Sequence, residues 1–144
     1  VAVGLWAAQI GGKALWRVPL AFVATMAVGF GLAIAGIDLL FVEPAILASV
    51  VTLGLLVAMA VRLDTAMSMA IVAVFALFHG HAHGGELGAA GALPFGVGFV
   101  IATALLHAAG IGLGLGIARL SGNGIVARII GGLTALAGLA LAFG

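Results

Sequence analysis

The chain contains no cysteine and no tyrosine, only three prolines, and just four acidic and five basic residues in 144. Without cysteine there are no disulfides, thiolate metal sites or cysteine nucleophiles. Charged residues make up 6%, against about 25% in a soluble domain, which excludes an exterior solvated by water. A net charge of +1 from five scattered basic residues leaves no footprint for nucleic acid. What is present is hydrocarbon, with 65% hydrophobic residues and a mean hydropathy of +1.44. This composition predicts an all-α integral membrane protein, one transmembrane domain spanning the chain and solvated by the lipid bilayer. Glycine, at 24 residues, exceeds its usual share of about 7% and in a membrane reads as close helix–helix contact.

Apolar runs broken by turn residues predict a compact bundle of about six transmembrane helices. Val1 to Ile10 reads as the end of a helix truncated at its N-terminus. Ten residues rise only about 15 Å, half of a hydrocarbon core of roughly 30 Å. The second helix is expected over Ala14 to Ala35 and the third over Val42 to Val61, with Glu43-Pro44 in its first turn. The fourth runs from Thr65 to about Leu87, the fifth from Pro94 to near Arg119, and the sixth from Ile125 to Phe143. A Gly/Ala linker, Gly88 to Leu93, precedes the fifth, and Ser121-Gly122-Asn123-Gly124 is the clearest turn. Lys13, Arg17, Arg62, Arg119 and Arg128 all flank odd-numbered turns, which are therefore expected in the cytoplasm. Trp6 and Trp16 are expected at that same interface, where amphipathic rings sit.

Chemistry concentrates in Phe78-His79-Gly80-His81-Ala82-His83-Gly84-Gly85-Glu86, on the outward end of the fourth helix. If the helix continues through it, steps of about 100° gather His79, His83 and Glu86 within roughly 60° of one face. His81 points nearly the opposite way. Two neutral imidazoles and a carboxylate suit a divalent transition ion, and polar groups in a lipid-embedded helix are costly to keep without a use. His107 falls deeper, on the fifth helix, as either a core histidine or a further ligand. Glu43 lies on the same side, as an acid at a helix start or as a ligand. Glu86, His83, His79 and His107 thus descend from the rim, which reads as a route for an ion more than as a closed site. Gly110/Gly114 and Gly112/Gly116 carry the i,i+4 spacing of packed helices, within one chain or between copies in a homo-oligomer.

The stretch from Phe78 to Glu86 resembles the FHGxAHGxE signature of the HupE/UreJ family of nickel/cobalt permeases, with His81 and Gly85 at its variable positions. Gly4-Leu5-Trp6-Ala7-Ala8-Gln9, Val42-Glu43-Pro44 and Leu105-Leu106-His107 also look like that family, so the resemblance spans the chain. It implies a bacterial inner-membrane protein of six or seven spans that supplies metal for hydrogenase or urease, with His79, His83 and Glu86 handling the metal. The family's second motif, HX5DH, has no match here and is expected upstream of Val1. The resulting expectation is a non-enzymatic permease with no permanently bound cofactor, carrying Ni²⁺, or Co²⁺ or Zn²⁺, inward through His79, His83, Glu86, His107 and Glu43. The alternatives are an intramembrane zinc hydrolase, a haem-binding subunit and a non-transporting helper in metal-enzyme maturation. Against the hydrolase stands the lack of a general base separate from Glu86.

Overall fold

In the computed structural model, which describes residues 1–87 and 91–144, the apolar runs form six α-helices. They are α1 (Ala2–Ile10), α2 (Ala14–Ile34), α3 (Val42–Ala58), α4 (Thr65–Gly84), α5 (Ala92–Ser121) and α6 (Ile125–Phe143). Four of them, α2, α4, α5 and α6, are long and apolar enough to cross a bilayer, while α3 is apolar but has 17 residues. Leu40, Phe41, Leu93, Leu120 and Phe143 are exposed on the outside of the bundle. Such an exterior is stable only against lipid. Part of the linker expected over Gly88 to Leu93 lies outside the described residues.

The helix ends follow from local chemistry. Asp64 caps α4 by accepting the Met67 N–H at 3.0 Å. Gly36 closes α2 in the left-handed region, at φ 78°, where a Cβ would be penalised. The Gly36 and Ile37 amides then return to the Ala33 and Leu32 carbonyls, at 3.1 and 2.9 Å, the double bond pattern of a Schellman turn. An identical turn ends α3: Ala60 and Val61 donate to Val57 and Leu56, but the left-handed position, φ 50°, is held by alanine. This turn stops α3 short of the Val61 expected from hydropathy. Ala60→Gly is expected to relieve the strain and raise stability by about 1 kcal/mol, read from thermal unfolding in detergent.

Side chains from other helices add hydrogen bonds to the backbone carbonyls around this early ending. Trp6 Nε1 donates to Val61 at 2.8 Å, Gln9 Nε2 to Val57 at 3.0 Å and Arg128 Nε to Ala58 at 2.7 Å. Trp6 is therefore fully buried between helices, so its ring is packed by protein and not by the surroundings of the bundle. Trp16 is 57% exposed, with the Arg17 guanidinium 5.1 Å from its ring centre.

Packing is pairwise: α2 lies along α4, α3 along α6 and α1 along α5. Each contact is built on glycine. A Cβ on Gly80 would strike the Met26 carbonyl, and one on Gly29 would strike Leu77, so α2 and α4 touch backbone to backbone. Gly54 and Gly131 do the same for α3 and α6. Gly110 and Gly114 meet α1 at Gly4 and Ala8, which makes that pair an intramolecular contact, whereas a Cβ on Gly112 or Gly116 would meet open space.

Candidate functional site

The motif on α4 carries two interleaved i,i+4 pairs. Gly80 and Gly84 face α2, where a Cβ would collide with Met26 and with Ala33. That contact turns His79 and His83, one position back in each case, toward a different neighbour. Both line a cavity of about 280 Å³ that His107 of α5 also lines. Two consecutive helices therefore bring three of the four histidines around one space.

His79 Nε2 lies 2.9 Å from the Ser49 hydroxyl of α3. His83 stacks on Phe99, with ring centres 5.1 Å apart, and its Nδ1 lies 3.1 Å from Glu86 Oε2. An ionised carboxylate only accepts, so a neutral His83 imidazole donates Nδ1–H to it and has Nε2 as its bare nitrogen. His107 is 4% exposed, and its Nδ1 is buried without a hydrogen-bond partner. Phe22 bridges the imidazoles, with its ring centre 5.8 Å from that of His79 and 4.9 Å, edge-on, from that of His107. Met26 also lines the cavity, and its sulfur accepts the Thr103 hydroxyl at 3.6 Å.

Glu86 reaches His83 by a route other than helical continuation. The helix ends at Gly84, and the Gly85 and Glu86 amides fold back onto the Ala82 and His83 carbonyls at 3.1 Å. That tightened turn places the carboxylate beside the imidazole, at the exposed rim. Glu43 stands apart from the histidines; it borders a separate groove of about 540 Å³ shared with Leu139 and Phe143 of α6. His81 donates from Nε2 to the Ile37 carbonyl at 2.8 Å, which ties α4 to the turn that ends α2. Among the described residues no three His, Asp or Glu side chains converge on one point. His79 and His83 stand one helical turn apart on α4, and His107 lines the same cavity from α5.

Sequence reasoning missed Ser49, Phe22, Met26 and Thr103. A lone serine in the middle of α3 was a visible signal for the first, because a buried hydroxyl in an apolar helix needs partners. The other three read as ordinary span residues.

The sequence model of a family described as HupE / UreJ protein matches residues 1–141. Protein HupE of Rhizobium leguminosarum bv. viciae is 50% identical over 146 aligned positions, which cover all of this chain and 75% of that relative. No solved structure matches the chain.

Proposed function

The chain belongs to the HupE/UreJ family, and from that premise we propose that it moves a divalent transition metal, nickel before cobalt or zinc, inward across the bacterial inner membrane. One observation carries the reading: His79, His83 and His107, from two helices, share a cavity inside an otherwise apolar bundle. Imidazoles are expensive to hold in a bilayer, and a cation that sheds water there compensates by binding their lone pairs. Glu86 adds negative charge at the mouth and steadies His83. Deeper, the unpartnered His107 offers the next nitrogen, and the spacing of single ligands keeps binding weak enough for release.

The odd-numbered turns, with all five basic residues, face the cytoplasm in this reading. In support, the Ile37 carbonyl meets His81 at the motif end, while Arg128, Ala58, Trp6 and Val61 meet at the opposite end. Glu43 borders a different groove from the one the histidines line, which favours its role as an acid at the start of α3.

The test is uptake of radiolabelled nickel by proteoliposomes holding the purified chain. Only unprotonated imidazole coordinates metal, so protons compete with the ion. Uptake is expected to be full above about pH 7 and to fall as the pH is lowered to about 4, where protons displace the ion from imidazole. A rate that stays flat across that range would count against imidazole ligation, and a rate equal to that of empty liposomes would leave the chain a helper in metal-enzyme maturation.

A further inference from the structure

We infer that Ser49 sets which nitrogen of His79 meets the metal, by holding the imidazole as its Nε2–H tautomer with Nδ1 bare. Ser49 is 1% exposed and lines the cavity from α3. Its hydroxyl has two neighbours, the Ile46 carbonyl at 2.6 Å and His79 Nε2 at 2.9 Å. A hydroxyl carries one hydrogen, and a carbonyl oxygen only accepts. The hydrogen therefore lies on the shorter contact, to Ile46, since two oxygens that close with no proton between them would repel. Ser49 can then only accept from His79, which puts the ring proton on Nε2. Nδ1 of His79 has no hydrogen-bond partner among the described residues and keeps its lone pair.

The two motif histidines thus differ. Glu86 leaves His83 with a bare Nε2, whereas Ser49 leaves His79 with a bare Nδ1. Ligating imidazoles need such an outer partner on the other ring nitrogen, which fixes the tautomer, orients the ring and raises its basicity. Ser49 is therefore a positioning residue that acts on the ion only through His79. It also makes α3 part of the capture apparatus, although α3 carries no ligand in the cavity. The proton placement stands on the hydrogen bonds alone; the role in capture rests on the transport reading above.

The test uses the full chain in lipid nanodiscs. Nitrogen NMR of labelled histidine, with His79 assigned from the His79→Ala spectrum, reads the tautomer without metal. The parent is expected to show Nε2–H at His79, Ser49→Ala a mixture of both tautomers, and Ser49→Thr the parent pattern. Titration with nickel chloride is expected to show a loss of affinity of about 10–100-fold in Ser49→Ala, largely restored in Ser49→Thr. Nδ1–H in the parent overturns the proposal, as does a Ser49→Ala protein with parental tautomer and affinity. Should either variant fail to fold, the parent spectrum alone decides the proton placement. Nickel that does not bind the parent, whose His79 nonetheless carries Nε2–H, overturns the transport reading and the capture role together and leaves the proton placement standing.

Discussion

His79→Ala is expected to cut nickel uptake into proteoliposomes by at least about 100-fold, while His81→Ala changes it by no more than about twofold. The two residues sit two positions apart and do opposite work. His79 lines the cavity, held by Ser49, and its loss removes an imidazole that no other side chain replaces. Loss of an outer partner alone lowers metal affinity by about 10–100-fold, so loss of the ligand itself costs at least the upper end of that range. His81 instead donates to the Ile37 carbonyl outside the cavity, a hydrogen bond worth about 0.5–1.5 kcal/mol of stability. Its removal is expected to lower thermal stability slightly and leave the ion's path intact. Between these extremes, Glu86→Ala acts through His83. Thermal unfolding measured beside uptake separates the two kinds of loss, and the reverse ranking of His79 and His81 would place the ion on the other face of α4.

The helical bundle was legible because the period of apolar residues and the Gly, Pro and Asp breaks mark a span without knowledge of its neighbours. Expected and observed boundaries agree at both ends of α6 and differ by one residue for α2. The largest disagreements, at the ends of α3 and α4, arise where hydropathy says nothing about backbone hydrogen bonding. Val61 is as apolar as the helix before it, yet the Schellman turn at Ala60 ends α3 first. At α4, Gly84 and Gly85 close the helix, and Glu86 recovers its place beside His83 through the turn. In the site, the spacing of His79 and His83 gave their shared face, because that geometry is internal to one helix. Which face of α4 turned inward was fixed by Gly80 and Gly84 against α2, a contact between distant segments. The same is true of Ser49 beside His79: thirty positions apart in sequence, the pair exists only because α3 and α4 meet. Trp6 shows the converse: its ring is buried because its N–H is taken by the Val61 carbonyl in the turn after α3, a contact between distant segments.

His107→Leu is expected to abolish most nickel uptake, by about 100-fold, while leaving the folded protein as stable as the parent or more so. A histidine kept for packing would have its ring nitrogens paired, and replacing it would destabilise the bundle. Here Nδ1 is buried with no partner, a condition that costs about 1–3 kcal/mol. Leucine removes that cost and still fills the space beside Phe22, at the expense of the edge-on contact between the rings, worth about 0.5–1.5 kcal/mol. The net change in stability is therefore expected to be near zero or a gain of about 2 kcal/mol, measured by thermal unfolding in detergent without metal. Uptake moves the other way, because the ion loses the nitrogen below His79. A residue whose removal steadies the fold but stops the flow is one whose strain the bound cation relieves. A His107→Leu protein that is less stable and still transports would make His107 a core residue and end the inward series at His79.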